Sequence, residues 1–183
     1  MPKPKEMNCN AVISIFLVVV LGAPGKTFAD EACVDFKWDV TQERGLFAGN
    51  AAPLASGADA KSAPVMLLNR LYALKLMPQD HVAFAATPGK KTPSAGSNAG
   101  VFTFKLPMSG SYRVAVDMPF WIDVVSNGAL VAAKDFQGQH GCNAPHKIVE
   151  FELAGTRPFF LQLSNAAADS VRLTITATPA RKL

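Results

Sequence analysis

Between residues 101 and 178 apolar side chains recur at every second position, and that period constrains the fold more than any other feature of the chain. In VFTFKLP, Phe102, Phe104 and Leu106 fall on one side. In YRVAVD, Tyr112, Val114 and Val116 point away from Arg113 and Asp117. KIVEFEL sets Val149, Phe151 and Leu153 against Glu150 and Glu152. PFFLQLS aligns Phe159, Leu161 and Leu163, and SVRLTITA sets Val171, Leu173 and Ile175 against Arg172, Thr174 and Thr176. A period of two belongs to extended strands with one face buried. WIDVV and ALVAA flank Asn127-Gly128, the dipeptide best suited to the positive φ angles of a type I′ hairpin turn. Short strands at this spacing, separated by Gly, Pro and Asn, predict an all-β fold, an antiparallel β-sandwich or jelly-roll-like barrel.

The first part of the chain, residues 30–100, is less regular and predicts long N-terminal loops. Residues 45–64 and 87–100 are rich in Ala, Gly, Ser and Pro without a sustained period, and both read as surface excursions. Between them Tyr72, Leu74 and Leu76 alternate with Leu71, Ala73 and Lys75, and the turn-like Pro78-Gln79-Asp80 leads to Val82 and Phe84. This reads as a hairpin, with a helix over its Leu-rich first half as the alternative.

Residues 1–29 have the three regions of a secretory signal peptide: a basic start with Lys3 and Lys5, the apolar run AVISIFLVVVLGA, and small residues at Thr27 and Ala29. The apolar run is about a dozen residues, short of the roughly 20 that span a bilayer. We expect cleavage after Ala29, a single domain over 30–183, no membrane span thereafter, and a periplasmic or secreted protein. The chain has 18 basic and 14 acidic side chains. Loss of Lys3, Lys5, Lys26 and Glu6 with the signal brings the rest close to neutral, too even for a nucleic-acid-binding face. Cleavage also removes Cys9 and leaves Cys33 and Cys142. Two cysteines in an oxidising compartment predict a disulfide closing a loop of about 110 residues, worth roughly 4.7 kcal/mol by chain entropy. The alternative is a pair of metal-binding or redox thiols.

The polar residues concentrate in KDFQGQHGCNAPHK, which gathers Asp135, His140, Cys142 and His146. These are ligand types for zinc or copper, although the spacing matches no closed site. The segment also reads as a structural loop fastened by the disulfide, or as a ligand-binding loop. Trp121 and Asp123 precede the Asn127-Gly128 turn. An indole there, like Trp38, either packs in the core or over the disulfide, or lies exposed where it can stack on a sugar ring. Glu150 and Glu152 share one side of a strand about 7 Å apart and read as solvated positions rather than as acids across a cleft. The chain has no G-x-S-x-G, S-x-x-K, H-E-x-x-H or P-loop motif.

The pattern F-x-F-x-L-P-x-x-G-x-Y-R-V-A-V, followed by V-E-F-E-L, P-F-F-L-Q-L and V-R-L-T-I-T, resembles the β-sandwich of bacterial pre-peptidase C-terminal domains. That resemblance implies a non-catalytic module. The elements C-x-x-F-K-W-D-V and D-F-Q-G-x-x-G-C-x-x-P-H-K-x-V-E-F are similar to those of small exported bacterial proteins, some labelled homogentisate 1,2-dioxygenase. That label implies iron held by two His and a carboxylate, for which His140, His146 and Glu150 or Asp135 are the candidates. The leading expectation is an exported, non-catalytic envelope module without a cofactor, binding a protein or glycan partner through Trp121, Asp123, His140 and His146. The alternatives are a metal-dependent, dioxygenase-like protein using the His140/His146 loop, and an exported inhibitor of a hydrolase.

Overall fold

The computed structural model describes residues 36–178 except Lys91, Pro93 and Thr156, together with the isolated Pro2. The signal segment, its cleavage point and Cys33 lie outside the described residues.

The expected β-sandwich is present, built from two mixed sheets. One short helix, α1 (Thr41–Phe47), precedes the strands β1 (Ala52–Ala55), β2 (Val65–Met66), β3 (Tyr72–Lys75) and β4 (Met77–Pro78). A single 3-10 turn over Gln79–His81 follows. The regular half comprises β5 (Asn98–Phe104), β6 (Gly110–Val116), β7 (Trp121–Ser126), β8 (Ala129–Val131), β9 (Ala133–Gly138), β10 (Lys147–Leu153), β11 (Phe159–Ala166) and β12 (Ser170–Ala177). The first sheet has the order β1-β3-β12-β6-β10-β9, and the second the order β2-β5-β11-β7-β8, with β4 also on β5. The chain passes from the second sheet to the first between β8 and β9.

The period-two runs form the core as read from the sequence. Phe102, Phe104, Leu161, Leu163, Ile122 and Val124 of the second sheet meet Tyr112, Val114, Val149, Phe151, Leu173 and Ile175 of the first. Leu74, Leu161, Leu163, Leu173 and Ile175 are wholly buried, and each such side chain contributes about 1.5–3 kcal/mol relative to an exposed one. The β7–β8 turn has Asn127 at φ 52° and Gly128 at φ 76°, with Ser126 opposite Ala129, the geometry expected of the Asn-Gly hairpin.

The N-terminal part departs from its reading. Val82 and Phe84 form no strand, so the predicted hairpin is absent, and the Leu-rich segment is strand β3 rather than helix. β3 pairs in parallel with β1 and antiparallel with β12. The excursion over 45–64 contains the end of α1 and all of β1. The helix escapes a hydrophobic-period reading because it is two turns long and buries Glu43 beside Phe47. The free side of β5 is covered piecewise, by β4 at Asn98 and Ala99, by Gly57 at Val101 and by β2 at Thr103 and Phe104.

Among the described residues no helix is long and apolar enough to cross a membrane.

Candidate functional site

Both outer faces of the sandwich are covered by chain, so most side chains opposite the core are not solvated as the alternation alone suggests. Over the second sheet runs the segment 82–97. Gln162 of β11 is fully buried, and its side-chain amide grips the backbone of Ala86. Its Nε2 donates to the Ala86 carbonyl at 3.0 Å, while its Oε1 accepts the Ala86 N–H at 3.3 Å. Asp123, directly across from Gln162 on β7, is 8% exposed. Its Oδ2 accepts the Gly89 N–H at 3.0 Å and its Oδ1 accepts the Trp121 indole N–H at 2.9 Å.

That second bond fixes the ring of Trp121, which stands 39% exposed at the start of β7. A Cβ on Gly89 would come within 2.9 Å of the indole nitrogen and 3.0 Å of the Asp123 carboxylate, so glycine alone fits beneath the pair without displacement. Lys147, from β10 of the other sheet, holds its ammonium 5.8 Å from the indole centroid and donates to the Phe120 carbonyl at 3.0 Å. Its burial depresses the ammonium pKa, with the charge of Asp123 working in the opposite direction. Trp121 and Asp123 are thus brought together as a fixed, partly exposed aromatic platform. Gly89, Lys147 and Gln162 complete it. Sequence reading missed all three, and the one visible signal was a polar Gln inside the apolar run PFFLQLS.

The polar segment 134–147, read as a loop, begins instead as strand β9, which carries Asp135, and only the stretch between β9 and β10, with His140, Cys142 and His146, is a loop. His140 is exposed and its ring meets that of His146 edge-on, with centroids 6.5 Å apart. His146 Nδ1 lies 3.0 Å from the carbonyl oxygen of Cys142, whose side chain is buried. Asp135 is engaged elsewhere, in an ion pair with Lys37 at 2.6 Å that holds its carboxyl below the usual range. Among the described residues no three His, Cys, Asp or Glu side chains converge as a metal-binding group. The loop does not join His140 and His146 to Trp121 and Asp123 in one hydrogen-bonded cluster, either.

Glu150 corrects the reading of that strand. It is 6% exposed rather than solvated, because it faces Arg113 across β6 and lies under the segment 36–48. Arg113, 4% exposed, donates from Nε to Glu150 at 3.1 Å and from Nη1 to the Asp39 carbonyl at 2.9 Å. The same Nη1 is 3.8 Å from Glu43 of α1, which accepts the Thr176 hydroxyl at 2.7 Å. Glu152 is exposed as expected and forms an outer pair with Lys134. The Trp38 ring lies against Arg113 at 5.1 Å and Lys37 at 4.7 Å, covering this network.

No family model matches the chain, and no curated protein matches it.

Proposed function

We propose that the protein is an exported, non-catalytic β-sandwich module of the cell envelope that binds a protein or glycan partner at the rim around Trp121. The observation that carries this reading is the geometry of that indole. It is fixed through its N–H by Asp123 yet left 39% exposed, and a rigid aromatic face is the type of surface on which sugar rings and partner side chains pack. The polar groups around it are committed to structure: both oxygens of Asp123 and the ammonium of Lys147 hold neighbouring backbone or indole groups. Such an arrangement suits recognition better than proton transfer.

In this reading cleavage after Ala29 delivers residues 30–183 to the periplasm or the medium. There Cys33 and Cys142 form a bridge that ties the N-terminal segment to the β9–β10 loop. The burial of Cys142 supports that bridge.

The test is an envelope pull-down and glycan array with the exported protein and its Trp121→Ala variant. Loss of signal with an unchanged melting temperature is the expected result. Equal binding by the variant removes the Trp121 rim from consideration, and a count of two free thiols removes the bridge.

A further inference from the structure

At the far side of the same sheet face, between the 3-10 turn and the approach to β5, lies an open cleft of about 550 Å³, within the ~300–1,000 Å³ range of small-molecule sites. Pro78 and Phe84 give it apolar walls, and Gln79, Asp80, Ser94 and Asn98 give it polar ones. The frame is rigid. Gln79 accepts the Asn165 N–H at 2.7 Å and the Ser97 hydroxyl at 3.4 Å through the same oxygen, and Ser94 donates its N–H to the Asn165 side chain at 2.6 Å.

Two irregularities converge beside this cleft. The pairing of β11 slips between Leu163 and Ala166, and Asn165 takes a left-handed φ of 61°. The preceding Ser164, opposite Trp121 on β7, keeps a buried hydroxyl without a partner among the described residues. Bulges and left-handed non-glycine residues are features that re-aim side chains next to binding sites, and a buried orphan polar group calls for a reason.

Around the Trp121 rim Asp123 and Lys147 are occupied, whereas in the cleft several polar groups are not. The Nε2 of Gln79, the carboxylate of Asp80 and the side-chain amide of Asn98 make no hydrogen bond among the described residues. Asp80 is 83% exposed, with only a 3.9 Å approach to His81. Among the described residues no Lys or Arg lines the cleft. Nor is a free strand edge offered to a peptide, because β5 is already paired here with β4, where Pro78 lacks an N–H.

We propose that this cleft binds a neutral carbohydrate. The planar amide and carboxylate groups would exchange hydrogen bonds with adjacent ring hydroxyls, and the Phe84 wall would pack on the C–H face of a sugar. The proposal rests on the reading of the protein as a binding module and names its ligand class. Trp121 lies two strand spacings away, about 10 Å across the sheet, so a glycan of several units seated in the cleft can reach the indole.

The experiment is calorimetric titration of the exported protein, with saturation-transfer NMR, against cello-, chito- and malto-oligosaccharides and an oligogalacturonate. We expect one neutral series to bind with little change in affinity between about 50 and about 500 mM salt, and the oligogalacturonate not to compete. Asp80→Lys, at a site exposed enough to leave the fold intact, should weaken binding about tenfold or more, and Phe84→Ala should do the same. Melting curves separate a lost site from a lost fold. If only Trp121→Ala reduces binding, the cleft is overturned and the rim reading stands. If no neutral oligosaccharide binds the parent protein, the carbohydrate proposal fails, while the envelope pull-down still decides the rim.

Discussion

The two outer faces of the sandwich are covered by chain in different ways. Over the first sheet, α1 and the segment before it are held by charge: Glu43, Arg113 and Glu150 form a buried row continued outward by Lys134. Over the second sheet, the segment 82–97 is held by neutral clamps, Gln162 on Ala86 and Asn165 on Ser94, with Asp123 as the one ionisable anchor among the described residues. The charged cover commits Glu43, Arg113 and Glu150 to one another, while Arg44 of α1 and Thr174 of β12 keep buried polar atoms without a hydrogen-bond partner among the described residues. The neutral cover leaves an orphan hydroxyl of its own at Ser164 and, unlike the charged one, borders the open cleft beside Gln79. The contrast teaches that the two covers are fastened by different chemistry, and the proposed binding surfaces both fall on the neutral side.

The largest expected effect breaks the charged side. Arg113→Met would leave Glu43 buried without a cation and Glu150 with Lys134 alone, and removing one partner of a buried pair costs about 3–5 kcal/mol. Denaturant unfolding should show that loss. The triple variant Glu43→Leu, Arg113→Met, Glu150→Leu should recover most of it, because well-packed apolar side chains often replace buried ion pairs without net loss. A triple variant as unstable as the single one would mean that the row contributes net stability rather than register.

The neutral side should give a smaller effect. Gln162→Leu leaves the Ala86 N–H and carbonyl without partners, which costs about 1–3 kcal/mol. Hydrogen exchange should quicken over 82–90 while α1 is unaffected. Exchange that quickens equally over both covers would dissolve the comparison, since the two faces would then open as one unit.

How much of this was legible in the sequence follows the same division. Six of the seven strands of six residues or more, β5, β6, β7, β10, β11 and β12, announce themselves because each alternates over enough residues to define a face, whereas β9 lies within the polar segment that reads as a loop. The strands β1 to β4 run only two to four residues and are defined by backbone pairing with partners elsewhere in the chain, which no local period records. Trp121 and Asp123 could be seen together because they are two residues apart on one side of a strand. Gly89 is 34 residues from Asp123, and Glu43 is 133 residues from the hydroxyl it accepts. The burial of Glu150 could not be read for the same reason: alternation tells which side of a strand a residue takes, and not whether another segment will cover that side.

The smallest expected effect is in the pH dependence, and its sign differs from group to group. The carboxyls of Glu152 and Asp135 are held below their ordinary values, Glu152 chiefly by the Ser111 hydroxyl and Asp135 by Lys37. Their stabilisation is therefore present above the unfolded values of 4.5 and 3.8 and lost as pH falls through the lower folded ones. Lys134 is raised above 10.5 by its hydrogen bond to Glu150, so its contribution is complete below that value and is lost as pH climbs through the folded one. Lys147 runs the other way. Burial lowers its folded pKa below 10.5, the unfolded chain binds the proton more readily in that window, and stability rises with pH there. Melting temperatures measured from neutral pH towards pH 10.5 should thus fall more steeply in Lys147→Met than in the parent protein, whereas Lys134→Met should follow the parent's slope over that range and fall less steeply only above 10.5. A Lys147→Met slope equal to the parent's, or shallower, would mean that Lys147 is not held desolvated between the sheets, and that the platform under Trp121 is open to water.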